Sequence, residues 1–197
     1  MTDASPSACI LIIGNEILSG KTQDKNIKFL GEELAKKGIS LKEARILVDE
    51  KKEIVSAVNE CRYKYTYVIT TGGIGPTHDD VTASGVAMAL DVSLERHPEL
   101  EAILRGHFGE RLTEAHLKMA DMPEGTSLFH GGGIRWPVLE PTPGLYMLPG
   151  IPEIFRDKID ALRSRLRGEP MTCRWVFTRM EEGQLAPHLV CDWEDPC

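Results

Sequence analysis

Cysteine is scarce and shows no paired pattern. The five residues Cys9, Cys61, Cys173, Cys191 and Cys197 are odd in number and contain no Cys-x-x-Cys unit. That usage argues against a thiolate metal site and against a disulfide framework, and fits free thiols in a reducing compartment. No apolar run approaches the roughly 20 residues that a membrane-spanning helix needs. The first residues show no basic stretch leading into an apolar one. The expectation is a cytoplasmic protein with no membrane partner. An excess of basic residues is also missing, since the formal net charge is −7. Nucleic acid and anionic membranes both reward clustered Lys and Arg, so neither is expected as a partner. A small phosphorylated ligand needs only a local site and stays open. His97, His107, His116 and His130 share no metal-ligand spacing and read as surface or hydrogen-bonded histidines.

What is present is a globular chain of 197 residues, 42% hydrophobic, enough for one domain with its own core. Its most informative stretch runs from Val68 to Thr82. Tyr67 to Thr71 is apolar and β-branched, as suits a strand buried on both faces. Gly72, Gly73 and Gly75 follow at once and allow positive φ and close approach of a ligand to the backbone. Pro76 limits the turn. Thr77 and Asp80 stand in the Thr-x-x-Asp spacing of a capping box, predicting a helix start there. A helix N-terminus with free N–H groups suits a phosphate, so Gly72, Gly73, Gly75, Pro76 and Thr77 are candidate binding residues. Asp79 and Asp80 would repel that phosphate unless a divalent cation bridges carboxylate and phosphate oxygens. Both are therefore candidate metal ligands, with Mg²⁺ the expected ion. The plainer alternative is a packing turn in which one Asp caps the helix and the other is solvated.

The rest of the chain alternates in type. Cys9 to Ile13 reads as a buried strand ending in Gly14-Asn15-Glu16, where an α/β protein places ligand contacts, so Gly14 and Glu16 are candidates too. Helical spacing follows over Asn26–Lys37, with Ile27, Leu30 and Leu34. A weaker strand over Leu41–Val48 ends in Asp49-Glu50, and a helix then carries Ile54, Val55, Val58 and Cys61. Long crossovers predict parallel strands with right-handed connections and a three-layer α/β/α fold with a mostly parallel sheet. Beyond Leu90 the pattern loosens. Pro98–Phe108 and Leu112–Met119 read as helices, either a lid or a packing appendage, and Ser127–His130 as a strand. Leu145–Leu148 is a further strand, and Pro149-Gly150-Ile151-Pro152 opens a helix with a first-turn proline. Arg163, Arg165 and Arg167 would complement that helix's dipole. Residues 1–168 form the expected domain. Residues 169–197 read as a short tail, a remnant of a further small domain, with a strand over Arg174–Thr178 and a helical turn over Glu182–Leu189.

The run Gly-Gly-Ile-Gly-Pro-Thr-His-Asp-Asp-Val-Thr at Gly72–Thr82 resembles the signature of the molybdopterin-binding-like domains of MoaB/MogA proteins, CinA proteins and eukaryotic FAD synthases. The resemblance extends from about Cys9 to about Leu166. Gly20–Asn26 and Leu148–Glu153, which includes Gly150, look most like the CinA and FAD-synthase branch. The stretch Ile134–Gly144 departs from the CinA pattern, and its Trp136-Pro137 pair looks more like FAD synthases. The resemblance implies metal-dependent hydrolysis of a nucleotide pyrophosphate such as FAD or ADP-ribose. Its MogA side implies instead a molybdopterin-binding or adenylylating protein, with Asp49 and Asp80 as the functional acids. A catalytically silent binding module is a third reading. The relatives imply a homo-oligomer, dimer or trimer, and the apolar positions of Leu94–Met119 are expected to help form it. No Ser-Gly-Gly-x-Asp loop accompanies the domain, so FAD synthesis itself is not expected.

Overall fold

A computed structural model describes residues 5–169 and 177–188. In chain order the elements are β1 (Ser7–Ile13), α1 (Asn15–Leu18), α2 (Asn26–Ala35), β2 (Ser40–Leu47), α3 (Lys51–Arg62), β3 (Tyr67–Thr71) and α4 (Thr82–Leu90). Then come β4 (Leu94–Arg96), α5 (Pro98–Phe108), α6 (Glu114–Lys118), β5 (Asp121–Pro123) and β6 (Ser127–Phe129). β7 (Val138–Thr142), β8 (Leu145–Leu148), α7 (Pro152–Leu162) and α8 (Glu182–Leu185) complete it. Six strands form one sheet in the order β2-β1-β3-β8-β7-β6, and β4 and β5 form a separate antiparallel ribbon. β1, β2, β3 and β8 run parallel, while β7 and β6 are antiparallel to their neighbours.

The strand period of two divides the core into two layers. On β1, Cys9, Leu11 and Ile13 pack with Ile54, Val58 and Val86 of α3 and α4. Ala8, Ile10 and Ile12 pack with Leu30, Leu34, Phe155 and Ile159 of α2 and α7. The expected three-layer α/β/α fold with a mostly parallel sheet is observed. β3 is buried at every position, as its sequence predicts. Among the described residues no helix is long and apolar enough to cross a membrane.

Four expectations need correction. Helix α4 begins at Thr82 with Val81 as its N-cap and no side-chain cap, so Thr77 and Asp80 do not cap it. Leu100 and Leu104, expected to be left over for an oligomer contact, are 5% and 1% exposed and sit in the chain's own core. The β4–β5 ribbon brings α5 and α6 back toward α4, which gives these leucines their place. Arg163 and Arg165 do more than complement a dipole: Arg163 pairs with buried Glu33 of α2 at 2.7 Å, and Arg165 with buried Glu140 of β7 at 3.1 Å. No strand is read from the sequence over Val138–Thr142, where the structure has β7; Glu140 and Pro141 weaken the strand signal there. Of the tail, the helical turn is seen at α8, whereas most of the expected strand, Arg174 to Val176, lies outside the described residues.

Gly85 of α4 lies against α3, and a Cβ there would stand 2.7 Å from Ile54 Cγ2 and 2.9 Å from Ile54 Cβ. On an open helix face, Gly→Ala would stabilise by about 1 kcal/mol. Here crowding against a branched side chain costs about 1–3 kcal/mol and reverses the sign. Gly85→Ala is therefore expected to lower the free energy of urea unfolding.

Candidate functional site

The sheet order makes β1 and β3 the switch point: β1 connects toward β2 on one side and the chain returns to β3 on the other. The crevice outside their carboxyl ends is where such folds bind ligands. β1 delivers Gly14, Asn15 and Glu16. The Asn15 backbone N–H donates to Asp49 Oδ2 at 2.9 Å, so the loop after β2 braces the loop after β1. The carboxylate of Glu16 folds over Gly14, where a Cβ would stand 2.6 Å from Glu16 Oε1.

β3 delivers the glycine loop, whose glycines have reasons internal to the fold. Gly72 takes φ +96°, and a Cβ on it would stand 2.2 Å from the Ile13 carbonyl oxygen. Gly73 takes φ +64°, and its Cβ would stand 2.3 Å from Thr82 Oγ1. The Thr82 hydroxyl donates to Gly72 O at 2.9 Å and the Thr82 N–H to Gly73 O at 2.9 Å, which pins the start of α4 to the loop. Thr77 donates its N–H and its hydroxyl to Asp80 Oδ2, at 2.8 and 2.5 Å. The pair closes a turn of its own instead of starting a helix. Asp79 is exposed, and its carboxyl is held below the usual range by the nearby Thr77 hydroxyl and its own backbone N–H. Lys118 of α6 clamps the loop from outside, donating to Thr77 O and, at 3.1 Å, to Asp80 O.

β8 supplies the third wall. Buried Asn26 donates to Thr71 Oγ1 and to Gly150 O, both at 3.1 Å, and the Thr71 hydroxyl donates to Pro149 O at 3.0 Å. This net ties α2, β3 and the loop after β8 together beneath the crevice.

These walls enclose a cavity of about 670 Å³, within the range of small-molecule sites. Gly14, Glu16, Asp49, Gly72, Gly73, Gly75, Pro76, Asp79, Asp80 and Gly150 all line it. Of the residues expected at the site, only Thr77 does not; it acts through Asp80. The far wall is apolar, with Leu100, Leu104, Met119, Leu139 and Met147 beside Trp136. Lys158 of α7 also lines it, although only 5% exposed. Burial pushes its amine down to about 8. Among the described residues no three of His, Cys, Asp and Glu gather so as to hold a metal by themselves. Sequence reasoning missed Asn26, Lys118, Lys158 and the α5 leucines. Only Leu100 and Leu104 had a signal, their spacing on an amphipathic helix.

A switch-point crevice bearing a glycine loop and carboxylates defines an α/β domain built for a small ligand. Residues 9–167 match the family model described as a probable molybdopterin binding domain, and the chain belongs to that family. It is 37% identical over 162 residues to a CinA-like protein of Gloeobacter violaceus, covering 77% of this chain and 37% of that one. It is 32% identical over 182 residues to a probable FAD synthase of Caenorhabditis elegans, covering 81% of this chain and 35% of the other. The chain thus spans about a third of the length of these two relatives. Among solved structures, the CinA protein of Thermoplasma acidophilum superposes with a TM-score of 0.75 at 28% identity, covering 82% of this chain and 98% of that one. The Mog protein of Mycobacterium ulcerans shares the fold, with a TM-score of 0.53 at 21% identity, covering 81% of this chain and 93% of that one.

Lys118 holds two loop carbonyls through a charged donor, and such bonds contribute about 1.5–3 kcal/mol. Lys118→Met should therefore speed amide exchange across residues 75–81 by about tenfold or more, through local opening of the loop. The midpoint of global urea unfolding should move little.

Proposed function

We propose that the chain binds a phosphorylated nucleotide or pterin at the Gly72–Asp80 loop and hydrolyses a nucleotide pyrophosphate of the FAD or ADP-ribose type with a divalent metal, Mg²⁺ first among candidates. One observation carries this reading. The backbone N–H groups of Gly73, Ile74 and Gly75 have no partner among the described residues, and all three residues line a cavity that also holds Asp49, Asp79 and Asp80. Unpartnered N–H groups in a glycine turn are a phosphate cradle. The family and the relatives' names, CinA-like protein and FAD synthase, support the substrate class.

The donor set fits a hard divalent ion. Asp49 and Asp80 each use Oδ2 within the loops, leaving Oδ1 of each uncommitted among the described residues. Mg²⁺ is usually held by one or two carboxylates together with substrate phosphates and water, so two or three nearby aspartates suffice. When bound, such an ion withdraws charge from phosphoryl oxygens and makes bound water more acidic. The chain's own part is positional. The glycine N–H groups fix one phosphate, and Lys118 and Thr77 hold the loop so that Asp79 and Asp80 stay at its rim. Glu16, folded over Gly14, stands where it can accept a proton from water at the β1 side of the crevice. The apolar wall of Leu100, Leu104 and Met147 excludes bulk water from the other side.

Asp80→Asn keeps an acceptor for the Thr77 N–H, so stability should fall by about 1 kcal/mol or less. An amide oxygen is a poor metal ligand, and turnover of FAD and ADP-ribose should be lost. Wild-type turnover should likewise vanish in EDTA and return with Mg²⁺. Undiminished hydrolysis in folded Asp80→Asn, or hydrolysis indifferent to EDTA, would sink the metal-dependent reading. Tight pterin binding with no turnover of either dinucleotide would favour a binding role in molybdenum-cofactor assembly.

A further inference from the structure

We infer that Lys158 reads the ring end of the ligand, and that the cavity selects a heterocycle presenting a lactam carbonyl, as flavins and pterins do, over adenine, which presents an amino group at the corresponding edge. The inference rests on the site proposed above. An ammonium has three N–H donors and no acceptor. Two of the three in Lys158 go to the carbonyl oxygens of Trp136 and Pro137, and the third has no partner among the described residues. No carboxylate lies within ion-pair distance of it among those residues. A buried cation without a countercharge is costly, so a ligand acceptor at this point gains more than it would in water. An amino group set against the same three donors loses instead, because donor faces donor.

Its position separates Lys158 from the phosphate cradle. Pro152 opens α7 beside Gly150, which a Cβ would place 3.4 Å from Gly72 Cα. Lys158 lies six residues further on, about 9 Å along the helix axis at 1.5 Å per residue. Ile154, one turn earlier, lines the cavity as well. Beyond the two carbonyls, the cavity lining here includes Trp136, Pro137 and Leu139 and no second arginine or lysine among the described residues, which suits a flat ring and not a second phosphate.

Calorimetry on the full chain with FMN, AMP and ribose 5-phosphate tests this. Wild-type protein should bind FMN at least about tenfold tighter than AMP or ribose 5-phosphate, the worth of one charge-assisted hydrogen bond. Lys158→Met should weaken FMN by about the same factor, leave ribose 5-phosphate within about twofold, and leave AMP no weaker than in wild type. Equal weakening of all three ligands would make Lys158 a phosphate ligand and overturn the inference. An unchanged FMN affinity in the folded variant would make it purely structural. Ribose 5-phosphate binding with no gain for FMN in wild type overturns this inference alone, whereas failure of all three to bind overturns the proposed site with it.

A second readout needs no variant. FMN affinity should hold below pH 8 and fall as pH rises through about 8, where the amine loses its proton. Ribose 5-phosphate affinity should stay flat, since its phosphate is fully ionised there. The other charged groups are Asp157 on the same helix and Glu16, Asp49, Asp79 and Asp80 across the cavity. All of these are carboxylates. A flat FMN profile from pH 7 to 9 would refute the assignment.

Discussion

A Cβ on Gly72 would stand 2.2 Å from the Ile13 carbonyl oxygen, so the loop leaving β3 can touch the end of β1 only because that side chain is absent. The rest of the crevice follows from this contact. It sets the distance between the β1 loop with Gly14 and Glu16 and the β3 loop with Gly73 and Gly75. It brings Gly150 of the β8 loop against Gly72, where Asn26 and Thr71 fasten it. It also turns the chain so that Thr82 can pin both glycine carbonyls and start α4. The glycines are thus required by the protein before any ligand is considered, and the cradle of free N–H groups is a by-product of how tightly the backbone must turn.

Much of this was legible in the sequence because it depends on backbone and on periodic burial. β3 is a continuous β-branched run, and α5 has a first-turn proline with leucines one turn apart, so its limits at Pro98 and Phe108 read correctly. What failed depends on single side chains choosing among partners. Thr77 and Asp80 have the spacing of a capping box, but the hydrogen bonds run from Thr77 to Asp80 and close a turn ahead of the helix. β7 contains Pro141 and a buried Glu140 between β8 and β6. Its pairing with β8 shifts register between Leu139 and Thr142, where a missing N–H can be tolerated, and Arg165 neutralises the carboxylate. Neither the irregular pairing nor an arginine 25 residues away can be read from a strand pattern.

Lys158 is the clearest case of the same limit. The helical pattern of α7 gives Ile154 or Phe155, Ile159 and Leu162 as its apolar face, and of these Phe155, Ile159 and Leu162 are buried. A lysine between them reads as a solvated neighbour, since lysines usually carry their charge to water. Only the position of the carbonyls of Trp136 and Pro137, fixed by the unexpected β7, shows why this one stays inside.

The cavity therefore divides its work by the kind of group that does it. The end at the β1 and β3 loops is made of backbone N–H groups and carboxylates, held by the contacts of Gly72 with Ile13 and of Thr82 with the glycine carbonyls. The other end is made of side chains from α5, β7 and α7. On the proposed reading, changes there would alter which ring is accepted without disturbing the turn, because Gly72 and Ile13 do not depend on them. Charge reinforces the division. Glu16, Asp49, Asp79 and Asp80 lie on the loops, while the only lysine or arginine lining the cavity among the described residues is Lys158, held by the carbonyls of Trp136 and Pro137. An anionic ligand entering a chain of net charge −7 meets its own sign at the loops. On the proposed reading, a cation held by Asp79 and Asp80 would remove that repulsion, admitting the ligand as well as assisting its hydrolysis.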